Sequence, residues 1–350
     1  MGKILMADFG DKSGNDPVYD NARTVSEGGF YGREPVIAKM SNGTLVCIFL
    51  TGGPTEPHNK NIIFYKKSYD GGLTWGDSQV LFSHPYRGVW GTEIFTDGKY
   101  PMMVVSMYNA LCPFKELQTF ISYTYDNGET WTEPSHADPS INTTSIRKGI
   151  VLSNGDFLFP VYWTIARNKF VWNEEGYYKD GWWDGTAHEC GVAISSDKGE
   201  SYTRFGRIKG ETSLWEPACV EMENGHVVMY VRHDKSGYLG ISESFDYGRS
   251  WSKYRLSDIP NSGAKITVLK VNDKIVLLGN FCADARTHLQ MWISDDYGIT
   301  WNKKIAVDDE DKFFTYPHAF ADDACEKLYV AYENYREHYL KIYSFEELGL

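Results

Sequence analysis

No stretch of about 18 consecutive apolar residues occurs in the 350-residue chain, so no segment reads as a membrane-spanning helix. No run of lysines and arginines occurs either, and the formal charge is −12. The basic footprint that nucleic acid or an anionic membrane would require is missing. Cysteine is scarce: six residues, at 47, 112, 190, 219, 282 and 325, none in a C-x-x-C pair. This is the pattern expected of reduced core thiols in a cytoplasmic protein. The N-terminus is too poor in apolar residues for a signal peptide; a secreted chain with its leader removed fits the same residues. There is no G-x-S-x-G and no phosphate-cradling glycine loop. Histidines and carboxylates do not fall at metal-ligand spacings, so no metal and no cofactor are expected.

What the chain has in abundance is repetition. The pattern Ser/Thr-x-Asp-x-Gly-x-x-aromatic occurs five times, beginning at Ser68, Thr124, Ser195, Ser244 and Ser294. Its aspartates (70, 126, 197, 246 and 296) fall roughly 50 to 70 residues apart. A period of about 50 marks a repeat architecture. Each copy reads as a hairpin turn. The carboxylate accepts backbone N–H bonds, glycine supplies a positive φ, and the aromatic ring covers the turn. These aspartates are therefore expected to be structural.

A second repeat lies inside the first. Six short apolar hairpins turn at Asn42-Gly43, Asp97-Gly98, Asn154-Gly155, Asn224-Gly225, Asn272-Asp273 and Cys325-Glu326. A two-residue Asn-Gly turn between apolar runs is a strong hairpin signal. One inner hairpin and one aspartate turn make four strands, which is one propeller blade. The fold class is therefore an all-β, six-bladed β-propeller in a single domain spanning residues 1–350. The sixth blade lacks an outer turn, so the N-terminal segment is expected to supply its missing strand and close the ring. One segment departs from the pattern. Residues Arg167 to Glu189 carry Trp172, Tyr177, Tyr178, Trp182 and Trp183, and read either as a sugar-stacking or oligomer-contact insert or as a loop packed on the propeller.

Aligning the inner hairpins by their turns brings certain residues into register. Arg33 lies ten positions before Gly43, Trp215 and Glu216 ten and nine before Gly225, Tyr316 ten before Glu326, and Arg147 eight before Gly155. The start of each innermost strand faces one end of the central channel, so Arg33, Arg147, Glu216 and Tyr316 are expected around one axis. A slip of one residue would turn any of them away.

On these residues the chain resembles the sialidase (neuraminidase) superfamily nearly end to end. The resemblance rests on Arg33-Glu34-Pro35, on Glu216 opening an apolar strand, and on Arg232 closing the next. Arg286 before the Ser294 turn and Tyr316 opening the last inner strand complete it, with five Asp-box turns in order. It implies that Arg33, Arg232 and Arg286 clamp a substrate carboxylate, that Tyr316 is the nucleophile, and that Glu216 is its base. The chemistry is coherent. Three guanidinium groups give multidentate, charge-assisted bonds to one carboxylate. A neutral tyrosine avoids the repulsion an Asp or Glu nucleophile would meet at a carboxylate-bearing anomeric carbon. In a chain of net charge −12, an acidic carbohydrate partner requires such a local positive cluster.

The chain departs from the family where an acid/base aspartate is expected, in the loop before the first Asp box. Residues 52–61 contain Glu56 and His58 but no Asp. His58 is assigned as acid/base on the ground that imidazole titrates near neutral pH. Arg147, Glu93 and His318 are further expected to contact substrate near the axis. The reading is a retaining exo-glycosidase for a sialic, ulosonic or uronic acid. A polysaccharide lyase and a non-catalytic glycan-binding propeller stand as the alternatives.

Overall fold

In a computed structural model, the described residues are 2–8, 32–53, 56–109, 117–166, 186–211, 213–233, 236–308 and 313–350. They form six antiparallel sheets. Strand β1 (Ile4–Asp8) opens the chain. Blade 1 is β2 (Gly32–Lys39), β3 (Leu45–Thr51), β4 (Ile62–Ser68) and β5 (Gln79–Phe82). Blade 2 is β6 (Gly88–Phe95), β7 (Met102–Tyr108), β8 (Gln118–Tyr123) and β9 (Ser135–His136). Blade 3 has an interrupted inner strand, β10 (Ser145–Ile146) and β11 (Ile150–Val151), then β12 (Phe157–Ala166), β13 (Thr186–Ser195) and β14 (Thr203–Ile208). Blade 4 is β15 (Leu214–Glu223), β16 (His226–His233), β17 (Tyr238–Ser244) and β18 (Arg255–Pro260). Blade 5 is β19 (Thr267–Val271), β20 (Lys274–Asn280), β21 (Leu289–Ser294) and β22 (Lys303–Ala306). Blade 6 is β23 (Thr315–Asp322), β24 (Lys327–Glu333) and β25 (Glu337–Ser344), followed by the short helix α1 (Phe345–Leu348).

The ring closes as the sequence predicts. Strand β1 pairs antiparallel with β25, Ile4 opposite Leu340, and supplies the fourth strand of blade 6. Among the described residues the core has one large apolar cluster between each pair of neighbouring blades, and a small seventh of Leu50, Trp90, Tyr108 and Leu117. That across the closure joins Met6, Ile37, Cys47 and Phe49 to Tyr329 and Leu340. That between blades 3 and 4 joins Leu158, Val192 and Ile194 to Cys219, Met229 and Val231. Alternating strands put these residues between blades because each blade presents an apolar face to both neighbours.

The Asp-box turns have the predicted construction. In the fourth, Asp246 Oδ1 accepts from the Ser250 N–H at 2.8 Å, Oδ2 accepts from Ser250 Oγ at 2.6 Å, and Ser244 Oγ accepts from the Gly248 N–H at 2.8 Å. Gly248 has φ +84° and Trp251 Nε1 donates to its carbonyl. Inner turns and Asp boxes lie at one end of the blades, because each joins a descending strand to an ascending one. The starts of the inner strands therefore share the other end.

Two expectations are corrected. Cys47, Cys190 and Cys219 are buried free thiols, but Cys282 is half-buried and Cys325 exposed at the inner turn of blade 6; Cys112 lies outside the described residues. The aromatic segment expected to end at Glu189 gives way to strand β13 at Thr186, and His188 and Glu189 are buried there. Its five aromatic residues lie outside the described residues.

Candidate active site

Three innermost strands are distorted in the same way. The ladder is bulged between Arg33 and Val36 in β2, between Trp215 and Ala218 in β15, and between Thr315 and His318 in β23. Within each bulge a non-glycine residue takes a left-handed backbone: Glu34 at φ +48°, Glu216 at +45° and Tyr316 at +54°. Each precedes a proline, which has no N–H to lose from the ladder. Such conformations cost about 1–3 kcal/mol each and persist where the surroundings over-determine them. Their effect is to turn three side chains onto the axis. In blade 3 the inner strand is interrupted around Arg147 instead, whose N–H bonds the Pro160 carbonyl.

Glu216 and Tyr316 meet Arg33, Arg232 and Arg286 at one cavity of about 180 Å³. The Tyr316 hydroxyl donates to Glu216 Oε1 at 3.3 Å and accepts from Arg232 Nη1 at 3.0 Å. Arg232 Nη1 also donates to Glu216 Oε2 at 2.9 Å. Arg33 stacks over the Tyr316 ring at 4.3 Å, and its Nε donates to Glu333 Oε1 at 2.9 Å. Arg286 lies 5.4 Å from the same ring centre and is braced by the Gly263 carbonyl at 2.7 Å. Trp90, Tyr108, Leu117 and Trp215 supply an apolar wall.

The electrostatics divide the carboxylates. Burial raises Glu216, but Arg232 and Arg147 outweigh it and hold the carboxyl down at about 2. Burial, reinforced by Glu216, pushes the Tyr316 phenol up to about 12. Glu56, on the loop after β3, also lines the cavity. Burial pushes its carboxyl up to about 7 against the opposing pull of Arg33, whose Nη1 is 3.6 Å away.

Four of the sequence-assigned residues stand elsewhere. His58 does not line the cavity; its ring packs on Gly53 and its Nδ1 accepts the Lys60 N–H at 3.1 Å. The physical reason is local, since the half-buried ring is committed to its own loop. Arg147, Glu93 and His318 lie beneath the floor, lining a separate cavity of about 20 Å³. His318 Nδ1 accepts the Ile37 N–H at 3.3 Å while its Nε2 is 3.5 Å from Glu93 Oε2. They face the axis below the cavity because the strands descend from it.

Sequence reasoning missed Glu34, Glu333 and Lys265. Glu34 was visible in the match of Arg33-Glu34-Pro35 to Trp215-Glu216-Pro217. Lys265 lies eight residues before Asp273, as Arg147 lies before Gly155. Nothing in the sequence singles out Glu333.

The family described as BNR repeat-like domain matches residues 43–330. A sialidase of Paraclostridium sordellii is 23% identical over 277 residues, 70% of this chain and 64% of that protein. The chain thus spans less than two thirds of that relative's length. Among solved structures, the Hadza microbial sialidase Hz136 superposes with a TM-score of 0.71 at 16% identity, over 91% of this chain and 66% of the other. A Dyadobacter fermentans protein of unknown function gives a TM-score of 0.68 at 17% identity, over 98% of this chain and 100% of the other. Both likenesses establish the propeller fold.

Proposed function

We propose a function from one premise: the chain belongs to the BNR repeat-like domain family, within the sialidase superfamily. The reading is a retaining exo-glycosidase acting on a sugar that carries a carboxylate at its anomeric carbon. The observation that carries it is the Tyr316 hydroxyl, 3.3 Å from Glu216 Oε1 and 3.0 Å from Arg232 Nη1 in a cavity that Arg33 and Arg286 also line.

In this reading the three guanidinium groups hold the sugar carboxylate and orient the ring. Substrate binding changes the base as well. A carboxylate shared with Arg232 weakens that residue's hold on Glu216 and raises its proton affinity. The Tyr316 proton passes to Glu216 Oε1 as the phenol oxygen bonds to the anomeric carbon and the bond to the aglycone oxygen breaks. Glu56 donates its proton to that leaving oxygen. Its carboxylate then takes a proton from water as the water oxygen attacks the same carbon. The tyrosyl bond breaks, and Glu216 returns the proton to Tyr316. Two displacements at one carbon retain configuration. Glu56 takes the role assigned from the sequence to His58 because it faces the cavity and titrates near neutral pH.

The test is Tyr316→Phe against a panel of acidic glycosides, with product configuration read by NMR. The variant should keep the wild-type melting temperature and lose on the order of 10³-fold or more in kcat. Retained configuration at near wild-type rate would remove Tyr316 from the mechanism. An unsaturated, UV-absorbing product from the wild type would identify a lyase instead, and binding without turnover a glycan receptor.

A further inference from the structure

The three bulged strands aim three side chains at the axis, and the proposed mechanism uses two of them. Glu216 and Tyr316 react; the third, Glu34, has no role in it. Glu34 is only 2% exposed. Its Oε2 accepts from Arg147 Nη1 at 2.9 Å and lies 3.7 Å from Lys265 Nζ. From the other side of the same guanidinium, Nη2 donates to Glu216 Oε1 at 3.2 Å and to the Tyr162 hydroxyl at 3.3 Å. Glu216 Oε1 is the oxygen that faces the Tyr316 hydroxyl. The other oxygen, Oε2, belongs to Arg232. Each oxygen of Glu216 is thus held by a different guanidinium, so the carboxylate cannot turn.

We infer that Glu34 and Arg147 are positioning residues, a buried pair that keeps the Glu216 carboxylate ionised and keeps Oε1 directed at Tyr316. This rests on the catalytic reading of Glu216 and Tyr316. A planar guanidinium bridges two carboxylates in fixed geometry, which a lysine ammonium does not. Glu34 has a second effect. Arg147 and Lys265 together would draw Glu216 toward too weak a base; the Glu34 carboxylate lying against both offsets part of that pull. The charged and titratable groups around Glu216 are Arg232 on β16, Arg147 between β10 and β11, and Lys265 before β19. Tyr316 on β23, Tyr162 on β12, Glu34 on β2 and Glu56 on the loop after β3 share the cavity with Arg33 and Arg286, and Glu93, Lys148 and His318 line the smaller cavity beneath.

The experiment is a titration of the full chain labelled with ¹³C at the glutamate carboxyl, with the Glu216 resonance assigned from Glu216→Gln. Arg147→Met should raise the Glu216 midpoint by about one unit or more, a tenfold gain in proton affinity. Arg147→Lys should restore part of the shift. Adding Glu34→Gln to Arg147→Met should bring the midpoint back down, because the unscreened Glu34 charge causes part of the rise. That double variant removes one charge of each sign, and serves if Arg147→Met alone does not fold. On a turned-over substrate, Arg147→Met should lower kcat about tenfold with KM within about threefold, and move the acid limb of kcat/KM upward with the midpoint. A midpoint unmoved in every folded variant, with only the melting temperature lowered, would make the pair a structural brace and overturn the inference. If the wild type turns over no acidic glycoside, the enzymatic reading fails while the titration still decides the pair.

Discussion

The two ends of the propeller solve the problem of holding a carboxylate in opposite ways. At the turn end, Asp70 is held within its own motif: Thr74 N–H donates at 2.9 Å, Thr74 Oγ1 at 2.6 Å and Ser68 Oγ at 2.8 Å. These bonds draw its carboxyl down to about 2 although it is solvent-exposed. At the cavity end, burial raises Glu216, and it is drawn down as far by Arg232, Arg147 and Lys265, which stand 16, 69 and 49 residues away in sequence. The first arrangement is complete once eight residues have turned. The second exists only when three blades have come together around the axis. Local hydrogen bonds give a turn that survives changes elsewhere; distant charges give a site that every blade can disturb. Substitutions at the two ends should therefore separate cleanly into losses of activity and losses of stability.

After Tyr316, the largest separation among cavity residues is expected at Glu56. With its carboxyl near pH 7, the protonated form falls as pH rises through 7, so kcat/KM should decline on the alkaline side. Glu56→Gln should abolish that limb and cost about 10²-fold or more on substrates with poor leaving groups. Activated aryl glycosides should lose little. An alkaline limb that persists in Glu56→Gln would assign the acid to another group.

Next in size is the clamp. Arg286→Ala removes one of the three cations and should lower kcat/KM by roughly 30-fold or more, the low end of what truncating one partner of a buried charge pair costs. Steady-state kinetics with a carboxylated substrate and its methyl ester check the cause, because the ester should lose far less. A change below about threefold on the acid would take Arg286 out of the site.

At the turn end the sign reverses. Asp246→Ala should lower stability by about 1 kcal/mol after solvent screening, with kcat nearly intact in the folded fraction. Hydrogen bonds hold the Asp246 carboxyl below its usual range despite the burial cost. Its contribution is therefore fully present above the unfolded value of about 3.9 and is lost as pH falls through the lower folded one. Chemical denaturation at pH 7 and at pH 3 should show the wild type and variant converging at the lower pH. The smallest effect belongs to His58. Because its ring packs on its own loop, His58→Ala should change kcat/KM by less than about threefold on poor and good leaving groups alike. A loss confined to poor leaving groups would return the acid/base role to His58.

The comparison also explains what was legible in the chain. Asn42-Gly43 and the Ser68 Asp box announce their hairpins because their chemistry is local. Arg33, Glu216 and Tyr316 were legible through register, since a fixed count from each inner turn fixes a side chain's height on its strand. Arg147 and His318 lie eight positions before their turns, against ten for Arg33 and Tyr316, so the register itself sets them lower, and with Glu93 they stand beneath the cavity floor. Between Glu56 and His58 the sequence offered two acids two residues apart, and their intrinsic titration ranges favoured histidine. In the structure Glu56 lines the cavity beside Arg33 and His58 does not, and which side chain faces a cavity is not a property of the residue alone.

The sequence by itself determined the six-bladed ring, the closing β1 strand and the heights of the axial residues, because turn chemistry and strand alternation act over a few residues. Only the tertiary structure decided which carboxylates stay ionised, which loop residue faces the cavity, and that Glu34 stands in register with Glu216 and Tyr316 to hold Arg147. Those outcomes depend on desolvation and on charges that different blades bring to one axis, and neither exists until the ring is closed.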